Sequence, residues 1–176
     1  MENKSITVNG FLLQNRIREQ TTLRDVLQKQ FDDSQTKFPN EDKPDPDSVM
    51  TQLLRAERRV AELQVIQTMY NMFVKVDVDG EVRTLLYAVK LIGSMGRAEK
   101  SWRQAATGKT DRYGGYGYEE RTASSVYAVR VMNSQDAADR SKAAGRRAAK
   151  CREAIAIGNA TKMIVEVDPE LAELFD

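Results

Sequence analysis

The chain has 176 residues, 41% of them apolar and 30% charged, with 27 Lys/Arg against 26 Asp/Glu and a net charge of +1. That composition suits one soluble, globular domain and excludes a disordered chain. The absence of histidine and the single cysteine, Cys151, remove Ser–His and Cys–His nucleophile pairs, almost every zinc or iron site and any intramolecular disulfide.

Leu13, Ile17, Leu23, Val26, Leu27 and Phe31 recur at helical spacing and predict a first helix over 11–31. Residues 32–47, acidic and holding all but one of the prolines, predict a mobile loop. Asp45 followed by Pro46 is a helix start: the carboxylate caps open N–H groups and proline suits the first helical position. The second helix then carries Val49, Leu53, Ala56, Val60, Leu63, Gln67 and Tyr70 in a 4-3-4-3 seam. Leu54, Ala61, Val65, Met69 and Phe73 form a second apolar edge. Two edges predict a partner within the chain and another in a neighbouring subunit, or else one wide stripe against a single core.

Val74, Val76 and Val78 alternate as in a short strand, and Asp79–Gly80 signals a turn. Thr84 can cap a third helix with the seam Leu85, Ala88, Ile92, Met95, Glu99 and Trp102. Gly93 and Gly96 within it allow close approach of a helix or ligand, or are simply tolerated. Residues 107–122, TGKTDRYGGYGYEERT, form a glycine–tyrosine loop, and Val126–Met132 alternates as a strand. Ser134 is expected to cap a fourth helix, whose seam of Ala137, Ser141, Ala144, Ala148, Cys151, Ile155 and Gly158 is small enough for close helix packing. Lys162–Val167 predicts a strand and Asp168–Pro169 a final short helix.

The expected fold is mainly α: a single domain over 1–176, built as an antiparallel helical hairpin or bundle with coiled-coil seams. A small β element would pair Val126–Met132 with Lys162–Val167. Exposed heptad faces favour a homo-oligomer, a dimer or tetramer.

The order of an opening helix, the acidic stretch EDKPDPD, a long heptad helix ending near YN, the phrase DGEVRTL and the triplet DRY resembles a family of small bacterial and phage proteins labelled septicolysin. The resemblance covers roughly residues 8–160. It implies an antiparallel, coiled-coil-rich helical fold and little about activity, and the label does not imply a toxin. The insert GGYGYEE and the tail KMIVEVDPELAELFD depart from the family pattern.

Charge is uneven along the chain: residues 97–152 hold thirteen Lys/Arg and six Asp/Glu. Such a segment suits a local anion site or an acidic partner, or is simply a solvated face. Within it Lys100, Trp102, Arg103, Lys109, Arg112, Tyr113, Tyr116, Tyr118 and Arg121 combine guanidinium forks, stackable rings and glycine-exposed N–H groups. A nucleotide-like ligand needs all three. The competing reading packs the tyrosines against helix ends or a neighbouring subunit. TGKT lacks the glycine five residues upstream that a phosphate loop requires, since position 103 is Arg. Asp77 and Asp79 read as turn residues rather than calcium ligands. Glu119 and Glu120, beside Arg121, read as paired or solvated. Cys151 reads as packing, although Arg147, Lys150 and Arg152 could lower its pKa. The basic residues of the fourth helix, Arg140 to Arg152, read as a solvated face rather than a nucleic-acid stripe.

The function expected on these grounds is that of a non-enzymatic, cytoplasmic oligomer, without metal or cofactor, that sequesters a phosphorylated or nucleotide-type small molecule, for example a host signal in a phage infection. The alternative is a virion or scaffold protein whose glycine–tyrosine loop makes only protein contacts. Nucleic acid and membrane are not expected partners.

Overall fold

The computed structural model describes residues 3–107 and 132–175. Among them the chain forms β1 (Lys4–Val8), α1 (Gly10–Ser34), α2 (Pro46–Phe73), β2 (Lys75–Val78), β3 (Glu81–Thr84), α3 (Leu85–Thr107), α4 (Ser134–Ala160), β4 (Met163–Val167) and α5 (Pro169–Ala172), then a single 3-10 turn at Glu173–Phe175. The fold is mainly α: α1 packs along α2, α3 packs along α4, and two small antiparallel sheets accompany the hairpins. No helix among the described residues is long and apolar enough to cross a membrane.

Local chemistry sets the helix starts. Asp45 accepts from the Ser48 N–H at 3.0 Å with Pro46 in the first turn, as the sequence predicts. Thr84 Oγ1 accepts from the Tyr87 N–H at 3.1 Å. Asn9 caps α1 by accepting from the Leu12 N–H at 2.8 Å, which starts that helix one residue before the predicted span; at its other end the helix runs on to Ser34. The cap of α4 is Asn133 rather than Ser134, its carboxamide accepting from the Gln135 N–H at 2.8 Å.

The α2 seam holds except at one position. Val49, Leu53, Ala56, Val60, Leu63 and Tyr70 are buried, but Ile66 fills the place expected of Gln67. Gln67, one position on and about 100° round the axis, is half-buried; burying the apolar side chain of Ile66 in place of a carboxamide is the cheaper arrangement.

β2 and β3 form a hairpin pairing Val78 with Glu81 and Lys75 with Thr84. Asp79 and Gly80 make its turn with φ of 56° and 84°. Asp77 closes it, its carboxylate accepting from the Gly80 N–H at 2.7 Å. In the other sheet β4 pairs with β1, Lys4 opposite Val167 and Val8 opposite Met163; the expected partner Val126–Met132 lies, but for Met132, outside the described residues. β-sheet pairing is chosen by burial of cross-strand partners, and Val8 and Val167 both enter the core.

That core sits where the helix ends meet the two sheets: Val8, Leu13, Leu63, Tyr70, Val76, Leu85, Ala88, Cys151 and Val167 are among its members. Tyr70, fully buried, points its hydroxyl between the carbonyl oxygens of Gly158 at 2.6 Å and Thr161 at 2.7 Å, satisfying the open end of α4. A smaller cluster of Leu27, Leu53 and Ala56 holds the outer part of the α1–α2 hairpin. The small seam of α4 does bring elements close. A Cβ on Gly158 would stand 2.7 Å from Val76 Cγ1 and 2.8 Å from Leu85 Cδ1. Gly93 and Gly96 show no such approach: the first would meet only the Arg97 side chain, at 3.6 Å, and the second nothing within 4 Å.

Candidate functional site

The α3–α4 hairpin carries the first three of the predicted ligand residues near the end of α3. Successive residues turn by about 100° around a helix axis, so Lys100 and Trp102 face away from each other. Trp102 is half-buried against α4, where the Arg140 guanidinium lies 5.0 Å from its ring centroid. Arg103 bonds to Glu99 one turn back. Glu99 is itself part of the seam. Its backbone carbonyl accepts from Ser141 Oγ at 3.3 Å, and its carboxyl carbon would lie 3.5 Å from a Cβ on Gly145. Lys100 is exposed and makes no ion pair with a described residue. Trp102 and Arg103 are therefore engaged within their own chain, and Lys100 stands apart from them. Lys109, Arg112, Tyr113, Tyr116, Tyr118 and Arg121, with Glu119, Glu120 and the TGKT stretch, lie outside the described residues.

Cys151 is buried, and its thiol donates to the Ala88 carbonyl at 3.3 Å. Burial pushes its pKa up, the Asp79 carboxylate adds to the rise, and Arg152 opposes it. The basic neighbours thus do not activate it, and packing is its role. Among the described residues no three His, Cys, Asp or Glu side chains cluster as a metal would require. Asp77 serves the hairpin turn, as expected.

Two surface features were only half visible in the sequence. The first is the outer edge of α2: Leu54, Val65 and Phe73 remain 61%, 59% and 66% exposed, with Met69 and Met72 beside them. Part of this edge forms one wall of an apolar groove of about 390 Å³, whose other wall is Val167 of β4 and Leu171 of α5. The second is a cleft of about 420 Å³ between the β2–β3 turn and α4, lined by Asp79, Ala143, Arg146, Arg147 and Lys150. In the sequence Asp79 reads only as a turn residue and the α4 cations as a solvated face. Only the placement of the hairpin turn against the helix brings them together, with Lys150 Nζ 3.7 Å from Asp79 Oδ1.

No family model matches the chain, and no curated protein matches it. A solved structure does: a functionally unknown conserved protein from Corynebacterium diphtheriae, 16% identical, superposes with a TM-score of 0.64 over 90% of this chain and 99% of that one. Likeness at that identity establishes a shared fold, and a fold alone does not assign a function. The chain thus shares the architecture of an uncharacterised conserved bacterial protein.

Proposed function

We propose that this protein is a non-enzymatic binding protein that works as a homo-oligomer and takes a phosphorylated or nucleotide-type small molecule through the segment from Lys100 to Arg121, and that it is kin to the septicolysin-labelled proteins. The observation that carries the oligomer is the outer edge of α2. An apolar row running from Leu54 to Phe73, exposed along its length, exceeds the scattered surface hydrophobics of a monomer and marks an interface. Joining two such edges buries the row and brings two α3–α4 hairpins into one particle. The ligand reading rests on the chemistry of residues 100–121, with cations and rings on one short segment.

Light scattering and calorimetry test the two halves separately. The wild type is expected to be a dimer or tetramer, and Val65→Glu with Met69→Glu to be a folded monomer. A wild-type monomer at tens of micromolar would refute the assembly. Titration of the intact oligomer with cyclic and linear nucleotides is expected to give saturable heat that Arg112→Ala removes, and no heat with any of them would end the ligand reading. The assembly-protein alternative draws its support from Trp102 and Arg103, already satisfied inside the chain. It predicts that deleting residues 113–119 changes particle size without touching any ligand response.

A further inference from the structure

The β2–β3 hairpin folds its turn onto the middle of α4. Asp79 sits in the left-handed region, which aspartate tolerates better than most residues, and its carboxylate meets Lys150 on the helix. Two hollows meet at this pair. One, of about 420 Å³, adds Arg146, Arg147 and Ala143. The other, of about 320 Å³, adds Asp77, Glu153, Ala154 and Ile157. The first therefore carries three cations against one carboxylate. The second carries three carboxylates against the same lysine, with an apolar wall. Neither Arg146 nor Arg147 forms an ion pair with a described residue. Their charges are thus not already spent on neighbours, whereas Arg140 is stacked on Trp102.

We propose that this two-lobed cleft is a binding site for a phosphate ester bearing several hydroxyl groups, the chemistry common to sugar phosphates and nucleotides. The phosphate belongs in the first lobe, where guanidinium forks and an ammonium match its oxygens. The hydroxyls donate to carboxylates in the second lobe, since ionised Asp and Glu only accept. Asp77 spends one oxygen on the Gly80 N–H and keeps another. Ile157, 64% exposed, offers its side chain to the carbon face of a ring. From Arg147 to Glu153 the helix rises by about 9 Å, a span that suits a phosphorylated sugar. Combined, the hollows fall in the size range of small-molecule sites. A nucleic-acid strand fits the cleft poorly, because a run of phosphates past Lys150 would meet Asp77, Asp79 and Glu153. The described lining includes none of residues 100–121, and the site does not depend on that segment's role.

Amide NMR of the full chain, titrated with ribose 5-phosphate, inorganic phosphate and ribose, tests the assignment. The ester is expected to shift the amides of residues 77–80 and 143–157 and to bind about tenfold tighter than inorganic phosphate, the gain of one good charge-assisted hydrogen-bond set. Arg146→Ala with Arg147→Ala is expected to weaken both anions by about tenfold or more. Asp79→Asn, which keeps a residue tolerant of the turn, is expected to erase the preference for the ester while leaving inorganic phosphate bound at least as well. Equal affinity for ester and phosphate, shifts outside these two segments, no binding of the ester, or indifference to either variant would each overturn the proposal. So would displacement of the ester by a short DNA duplex at lower concentration, which would assign the cations to a nucleic acid.

Discussion

Replacing Gly158 by alanine tests how the core is closed. The substitution adds one methyl group in the last turns of α4, and in an open helix it would stabilise the protein by about 1 kcal/mol through helix propensity. Here the methyl would lie 2.7 Å from Val76 Cγ1 and 2.8 Å from Leu85 Cδ1. Both neighbours are buried, Leu85 completely, and cannot swing into solvent. Overpacking of this kind costs ~1–3 kcal/mol, so the gain is cancelled and the net effect is a loss of up to about 2 kcal/mol. Gly96→Ala is the matched control. Its new methyl meets nothing within 4 Å, and it should gain up to ~1 kcal/mol. Urea unfolding followed by helical circular dichroism, at one protein concentration and with unchanged slope, reads both. A Gly158→Ala protein as stable as the Gly96→Ala protein would refute the claim that α4 is pressed against β2 and α3 at this glycine.

Other outcomes follow from buried polar groups. Tyr70→Phe should cost ~1–3 kcal/mol, because it strips the carbonyls of Gly158 and Thr161 of their shared donor. Burial raises the Tyr70 pKa, with the Gly10 backbone opposing. The folded state therefore prefers the neutral phenol, and this contribution is complete below the ordinary phenol value of 10.0 and fades as pH climbs through the raised one. Stability curves of wild type and Tyr70→Phe should converge there, and parallel curves would count against it. The Cys151 thiol, also raised by burial, should react with an aromatic disulfide reagent only as fast as the protein opens. Reaction within seconds in buffer at neutral pH would show an accessible thiol instead. Gln20, buried with its side-chain oxygen unpaired, should yield a protein more stable by ~1 kcal/mol when changed to leucine, and a lower urea midpoint would contradict that account.

Much of the fold was legible because its signals are local. Asp45–Pro46 and Thr84 announce helix starts by chemistry within four residues, and Asp79–Gly80 announces a turn by the backbone angles it needs. The seams of α2 and α3 were readable as periodicity, and Ile66 displaced Gln67 because a core takes an apolar side chain in preference to a carboxamide. What escaped was non-local. Ile6 and Val8 alternate with Ser5 and Thr7 and could have been read as a strand, but nothing near them names β4 as partner. Asn9 is a cap that the sequence offers, asparagine being among the best, but no acidic residue or proline in the following turn marks it as Asp45 is marked. The cleft at Asp79 escaped for the same reason as β1: the residues that face each other there come from elements far apart in sequence, and only packing unites them. Gly93 and Gly96 stand out as glycines within a helix, while the close contacts belong to Gly158, legible only as one of the small residues in the α4 seam, and to Gly10, whose added Cβ would run into Asn159 Oδ1.

The pairing of β1 with β4 dictates an order of events at the ribosome. Lys4–Val8 emerges long before its partner Met163–Val167, with every helix from α1 to α4 made in between. The α1–α2 hairpin can zip as soon as α2 clears the exit tunnel, whereas Val8 stays wet until Met163–Val167 has been made. A nascent chain stalled before residue 163 should therefore hold a formed hairpin with a dangling, unpaired leading strand, open to any chaperone that recognises extended β-branched sequence.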